Sequence, residues 1–421
     1  MDGPDRLTSW KQIAAHLGIS IRTAQLWELE HGLPVHRQPG PRGRVYALPA
    51  ELDEWRRRME QAAPAETDSP RATPKYGRFA LATILVLLLS VAGFLLSRRP
   101  VNVAGFRLEG NSIRATDARG RTLWTYESAG GQTPQDNRSP GRDTGVGPLL
   151  VDLDGDGLNE LLVPVATAWP YPTRLLCLSP AGQVMWTIEP EDRVEAGGKN
   201  YEPPWVLRSM APVPTSGERG QQLFATWSHL TYAPSFGRLF DAEGRRLRNY
   251  WHYGHLINST VMDFGDGEGP LIVVAGIANG HGHGTLIVLD PARFAGAARE
   301  ADPAFLIQGH GDPVEVARVL FPRSRLNRAF RLYNIADILI RHPGRLSVAV
   351  MEYLADGEQV SNATVYYEFG PRLTLRKIEF GDGVSHWYER LKDQFDPLPG
   401  GPTEELDTLR DLRWVTPWRR E

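Results

Sequence analysis

Three hydrophobic patterns divide this chain. Over the first sixty residues, apolar positions recur at helical spacing. Ile13, Ala14 and Leu17 follow Ser9-Trp10-Lys11-Gln12, an S-x-x-Q capping box. Gly18 ends that helix, and Ser20 caps a second one carrying Ile21, Ala24, Trp27 and Leu29 as far as Gly32. Two short helices joined by such a turn form a helix-turn-helix. Leu33 to Arg37 and Arg44 to Ala47 then read as extended stretches around a Pro- and Gly-rich turn, a hairpin or wing. Pro49 opens a third helix with Leu52, Trp55 and Met59 on one face.

From Phe79 to Leu96 the pattern is apolar on every side, eighteen residues without a charge, with Arg78 before and Arg98 and Arg99 after. At ~1.5 Å rise per residue the run spans about 27 Å, close to the hydrocarbon thickness of a bilayer. A buried helix of a soluble domain would keep a polar face, and a cleaved signal would not follow a folded unit. The run is therefore expected to cross the membrane once and stay. Between it and the third helix, residues 62–78 are rich in Pro, Ala, Ser and Thr and form a flexible linker reaching roughly 20–25 Å.

Beyond Val101, short extended runs alternate with turns. Asp117-Ala-Arg-Gly120-Arg-Thr-Leu123-Trp124 is echoed by Ser179-Pro-Ala-Gly182-Gln-Val-Met185-Trp186 and by Asp241-Ala-Glu-Gly244-Arg-Arg-Leu247, each 62 residues after the last. Each turn sits between strand-like runs, so the unit is a hairpin, and equal spacing means repeated β units that close into a propeller. At that period the segment holds roughly five blades. The fold class expected is multidomain: a small α-rich winged helix-turn-helix over 1–61, one transmembrane helix over 79–96, and an all-β propeller-like repeat domain over 101–421.

Composition narrows the chemistry. A formal charge of -3 marks neither a nucleic-acid coat nor a polyacid. A single cysteine, Cys177, excludes an intrachain disulfide and a cysteine zinc site; between Leu176 and Leu178 it reads as a buried apolar side chain. No G-x-S-x-G elbow, P-loop or dinucleotide fingerprint occurs, so no catalytic activity is expected. Gly280-His281-Gly282-His283-Gly284, with His252 and His255 earlier in the chain, could chelate zinc or copper, or could simply be turn residues of a Gly-rich loop.

Residues 7–60, SWKQIAAHLGISIRTAQLWELEHGLPVHR followed by GRVYALPAELDEW, resemble the excisionase and MerR-type winged helix-turn-helix family. That resemblance implies major-groove docking of the second helix and wing contact with the backbone or minor groove. It places Ser20, Arg22, Thr23 and Gln25 toward double-stranded DNA and His36, Arg37, Arg42 and Arg44 on the wing. Arg and Gln can read guanine and adenine bidentately, and Ser and Thr donate to phosphates. Glu28 and Glu30 oppose this, so affinity per module is expected to be weak and salt-dependent.

Val151-Asp152-Leu153-Asp154-Gly155-Asp156-Gly157-Leu158-Asn159-Glu160-Leu161 resembles the calcium loop of FG-GAP, VCBS-like or integrin-type propellers. Asp152, Asp154 and Asp156 offer alternate oxygens, Gly157 permits the bend, Leu158 offers a carbonyl and Glu160 completes a set for one Ca2+. The stretch Asp263 to Gly269 keeps hairpin glycines but lacks the alternating acids, so it is expected to have lost the metal.

The combined expectation is a membrane-anchored one-component transcriptional regulator of the cell inner membrane. Its N-terminus would be cytoplasmic and bind DNA, its C-terminal domain would sense an extracytoplasmic ligand or protein, and homodimerisation would supplement weak DNA affinity. The alternative is an extracytoplasmic carbohydrate-binding or enzymatic propeller whose cytoplasmic part is an interaction module.

Overall fold

A computed structural model of the chain describes residues 6–38, 44–62, 101–138, 145–167, 170–215, 217, 219–231, 233–265, 269–329, 333–352, 363–391 and 402–419. Linker residues 63–78, the apolar run 79–96 and Arg42 lie outside them, whereas Ala62, expected to open the linker, ends a helix. Among the described residues no helix is long and apolar enough to cross a membrane. The chain divides into two compact units, Met1–Phe94 and Leu95–Glu421.

In the first unit, α1 (Trp10–Leu17) is capped by the Ser9 side chain, which accepts from the Gln12 N–H, and ends at Gly18 with φ 70°. That left-handed conformation suits glycine, which lacks a Cβ. Helix α2 (Ile21–His31) is capped by Ser20 and ends at Gly32. Strands β1 (His36–Arg37) and β2 (Val45–Tyr46) pair antiparallel, and α3 (Pro49–Ala62) follows. Ile13, Ala14, Leu17, Ala24, Leu33, Ala47, Leu52 and Trp55 form one core. The Trp55 indole lies 5.5 Å from that of Trp27 and donates to the His31 carbonyl at 2.9 Å. The inward period assigned to α2 needs correction at both ends, since Ile21 is 44% exposed. Leu29 is 84% exposed, because at ~100° per residue it points away from Ala24 whereas Trp27 does not.

The second unit is mostly β. Its first sheet holds β3 (Gly105–Glu109), β4 (Ser112–Thr116) and β5 (Thr122–Glu127). The second holds β6 (Thr133–Pro134), β7 (Leu149–Val151), β8 (Glu160–Ala166), β9 (Pro172–Leu178) and β10 (Val184–Ile188). A small hairpin, β11 (Val194–Ala196) and β12 (Lys199–Tyr201), leads to the third sheet. That sheet holds β13 (Trp205–Pro214), β14 (Gln221–His229), β15 (Ser235–Phe240) and β16 (Arg246–His252). The fourth has β17 (Gly254–Met262), β18 (Leu271–Ala278), β19 (His283–Leu289) and β20 (Ala317–Leu320). Helix α4 (Arg325–Ala329) precedes the fifth sheet, β21 (Asn334–His342), β22 (Arg345–Glu352), β23 (Thr364–Phe369) and β24 (Leu375–Phe380). Helices α5 (Asp382–Leu391) and α6 (Pro402–Leu409) follow, and β25 (Arg413–Thr416) returns to the outer edge of the fourth sheet.

Consecutive sheets pack face to face, and the period of two in each strand explains how. On β14, Leu223, Ala225 and Trp227 join a core shared with the second sheet, while Phe224 joins a core shared with the fourth. On β18, Ile272 and Val274 face the third sheet; Leu271, Val273 and Ala275 face the fifth. A strand covered on both sides reads as an unbroken apolar run, which is why every residue of β8 and β18 is buried. The result is a propeller-like succession of sheets. Among the described residues no hydrophobic cluster contains residues of both the first and the fifth sheet.

The 62-residue repeat has a physical meaning. Gly120, Gly182 and Gly244 have φ between 75° and 79° at successive hairpin turns. The Trp124 indole, after the first turn, donates to the Pro180 carbonyl in the second turn at 2.9 Å; Trp186 donates to the Ala242 carbonyl in the third at 2.8 Å. Each indole lies flat on the next turn, where a Cβ on Gly182 or Gly244 would come within 2.7 or 2.8 Å of it. Glycine is thus required twice over, for its φ and for the close approach. After the third turn Arg248 stands in the tryptophan position and donates to the Ala292 carbonyl at 2.5 Å.

Candidate functional site

On the first unit, α2 presents Arg22, Gln25, Leu26 and Leu29 on one exposed face, since these positions stand three or four apart. Ser20 is committed to capping: its oxygen accepts from the Thr23 N–H at 3.1 Å and lies 2.7 Å from the Thr23 hydroxyl. Two side chains of the short β1–β2 pair are likewise engaged. Arg37 is held bidentately by Glu28 at 2.6 and 3.1 Å, and His36 lies 2.6 Å from Glu51 and stacks on Tyr46. Among the described residues Arg22 and Arg44 have no ion-pair partner. The positive surface left is smaller than a count of basic residues suggests.

In the second unit the acidic loop joins β7 to β8. One carboxylate oxygen from each of Asp152, Asp154 and Asp156 lies within 4.8 Å of the other two. Asp152 accepts from the Gly155 and Gly157 N–H groups at 2.8 and 3.0 Å, Asp154 from Asp156 at 3.0 Å, and Asp156 from Leu158 at 2.7 Å. These bonds use Oδ1 of Asp154 and Asp156 and leave each Oδ2 for a cation. An all-oxygen set of three like charges suits a hard cation, and Ca2+ fits it. Glu160 stands at the end of the same loop. It is 1% exposed, and its carboxylate accepts the Leu153 N–H at 2.8 Å, bracing the loop from behind. Burial pushes its carboxyl up to about 7, helped by the charges of Asp154 and Asp156.

Two neighbours hold this loop. The Asn102 side chain accepts from the Asn159 N–H at 2.7 Å, and the Asn159 amide donates to the Val103 carbonyl at 3.0 Å. On the other side Gln221 donates to the Leu153 carbonyl at 2.9 Å, and Gly155 and Gly220 approach so closely that a Cβ on either would meet backbone at 2.6 or 2.5 Å. The loop thus links the second sheet to the third and to the segment following the apolar run. Of the Asp263 to Gly269 stretch, Asp263 caps Gly265 at 2.8 Å, and residues 266–268 lie outside the described set.

The histidines do not assemble into a metal centre. His283 lies on β19 and bonds the Phe321 carbonyl at 2.8 Å; His252 bonds the Ile277 carbonyl at 3.0 Å. His281 lies 3.9 Å from Glu300, which also meets buried Arg318 at 3.4 Å. Among the described residues only the three aspartates bring three metal-capable groups together. Cys177 is fully buried, and burial pushes its thiol up.

His255 instead lines a cavity of about 670 Å³ with Thr231, Ile257, Ile277, Asn279, Gly282, Tyr333, Ile335 and Asp337. Burial and the nearby Arg208 charge lower the His255 pKa to about 3, so its ring is neutral. This site escaped the sequence reading. Thr231, Asn279, Tyr333 and Asp337 are scattered over a hundred residues and share no spacing, so pairing alone brings them together.

No protein-family model matches the chain, and no curated protein matches it. Among solved structures, it is similar to a protein of unknown function from Bacteroides caccae, at 11% identity and TM-score 0.26, over 69% of this chain and 95% of that one. It is also similar to the Dos1 propeller, at 9% identity and TM-score 0.32, over 65% of this chain and 66% of that one. A third likeness is to the exotype rhamnogalacturonan lyase YesX, at 10% identity and TM-score 0.28, over 64% of this chain and 55% of that one. With scores this low, the likenesses add nothing to what the sheets themselves define.

Proposed function

We propose that the chain is a single-pass protein of the cell inner membrane that joins a cytoplasmic DNA-binding unit to an extracytoplasmic β unit with a ligand cavity. The observation that carries the DNA half is the α2 face: a capped helix presenting Arg22 and Gln25 side by side, both exposed. The Arg44 guanidinium adds a backbone contact beside it, and paired units in a homodimer would multiply a weak single-site affinity. Ca2+ in the Asp152–Asp156 loop is a structural ion in this reading. Because the same loop holds Asn102 and Val103, changes at the second and third sheets have a short route toward the membrane segment. No catalytic step is assigned.

The test is duplex binding by the full chain in lipid nanodiscs over a salt series. Binding should weaken steeply with salt. Arg22→Ala should cost about 1–3 kcal/mol of specific binding. Arg37→Ala should cost much less, since Glu28 already holds that side chain. Absence of binding at low salt overturns the DNA half.

A second reading is favoured by the exposed Leu26 and Leu29 on the same face and by the pairing of His36 and Arg37. In it, the first unit is a protein-interaction module and the β unit is a carbohydrate-binding or enzymatic domain. Ligand binding in the β unit without duplex binding selects this reading.

A further inference from the structure

One stripe along α2 carries two chemistries. Arg22, Gln25, Leu26 and Leu29 stand at i, i+3, i+4 and i+7, and at ~100° per residue they fall within about 100° of the helix circumference. All four are exposed, Leu26 at 47% and Leu29 at 84%. The helix packs on its core through Ala24 and Trp27, on the opposite side, and neither leucine belongs to that core. Their neighbours on the stripe favour DNA over the protein contact of the second reading. A helix that lies in a protein groove is anchored by apolar side chains at i, i+3, i+4 and i+7, whereas here the first two are Arg and Gln. A protein groove would have to bury a guanidinium and a carboxamide beside the leucines. The floor of a major groove accepts all four: guanine and adenine edges for Arg22 and Gln25, and the thymine C5-methyl for an apolar side chain. Base-reading positions at this same spacing occur where a recognition helix lies along the groove. Of the acids flanking the stripe, Glu28 is held bidentately by Arg37 at 2.6 and 3.1 Å, which offsets its repulsion of phosphates.

We propose that Leu26 and Leu29 read thymine methyl groups in the major groove, an apolar element of specificity beside the Arg22 and Gln25 contacts. The proposal deepens the DNA-binding half of the function above and rests on it. At ~1.5 Å rise per residue the two leucines stand about 4.5 Å apart along the axis, a little over one base-pair step of ~3.4 Å. The two methyls therefore belong to neighbouring base pairs. Arg22 lies about 10 Å before Leu29, so the stripe covers about three steps. Burying one methyl against a leucine is worth about fourfold in affinity.

The full chain in lipid nanodiscs selects its strongest duplex from a randomised library at low salt. Each thymine of that duplex is then replaced in turn by deoxyuridine, which keeps the base pairing and removes only the C5-methyl. Wild type should lose about fourfold in affinity at one or two positions, on neighbouring base pairs. Leu26→Ala and Leu29→Ala should each bind the thymine duplex about fourfold more weakly and lose the uracil penalty at one of those positions. The thermal midpoint of the first unit should stay unchanged, because both leucines lie outside its core. Three results overturn the proposal: no uracil-sensitive position in the selected duplex, uracil penalties that persist in both alanine variants, or duplex affinity unchanged in both variants, which would assign the leucines to a protein contact. Absence of binding to any duplex removes the DNA-binding reading and this proposal together, whereas specific binding without uracil sensitivity removes the proposal alone.

Discussion

Between the first and third sheets, an indole from each turn rests on the glycine of the next; between the third and fifth, Arg248 replaces the indole and the first strands bulge. One strand plan serves both halves. Where the indole clasp repeats it supplies packing, and where the first strands of the fourth and fifth sheets bulge, at Ile257 and Asp337, they line a cavity with polar groups. The repeated clasp therefore marks scaffold in this chain, and the cavity lies where the clasp has ended.

The largest expected effect falls on the clasped half. Trp186→Ala removes a half-buried indole and its bond to Ala242, and should lower the stability of the β unit by about 3 kcal/mol, read from its thermal unfolding. Arg248→Ala, at the corresponding exposed position, should cost less than about 1 kcal/mol. Equal losses would erase the distinction between the halves.

Calcium comes next. Saturating Ca2+ at about a hundred times its Kd should add about 2.7 kcal/mol over the EDTA-treated chain, and Asp154→Asn should remove most of that gain. A calcium response unchanged in Asp154→Asn would place the ion elsewhere.

Gly244→Ala should cost about 2 kcal/mol. Its φ is +76° and its Cβ would press on Trp186 at 2.8 Å, whereas Gly157→Ala, at φ +89° with open space around it, should show only the backbone cost of about 1–2 kcal/mol. Equal costs would mean that the indole contact adds nothing.

The smallest effect is the response to pH. Glu160 titrates near 7 and Glu352 near 8, each raised chiefly by burial from an ordinary value of 4.5. A carboxyl with a raised folded pKa keeps its proton longer when folded. Its contribution is complete below the unfolded pKa and is lost as pH climbs through the folded one. Thermal midpoints without calcium should therefore fall from about pH 5 upward. Glu160→Gln should flatten the part of the curve below about 7, and Glu352→Gln should also flatten the part approaching about 8. A midpoint that rises over this window would refute both assignments.

Much of this architecture was legible in the residues because local rules decide it. Ser9, Gly18, Ser20 and Gly32 bound their helices through caps, and the 62-residue echo marks turns that touch one another. Leu29 was misread because apolar character alone does not say which side of a helix a residue occupies. The segment around β1 and β2 read as more basic than the surface it leaves, since Glu28 and Glu51 reach Arg37 and His36 only through tertiary contact. The bulges at Arg208, Ile257 and Asp337 had no local signal, because they exist only in the pairing with the neighbouring strand.

The claim on which the rest depends is that the two units work in separate aqueous compartments joined by the apolar run 79–96. Its most direct test fuses a reporter active only outside the cytoplasm either before Met1 or after Glu421. The account expects activity from the C-terminal fusion and none from the N-terminal one. Equal activity at both ends, or recovery of the full chain in the soluble fraction, would contradict it.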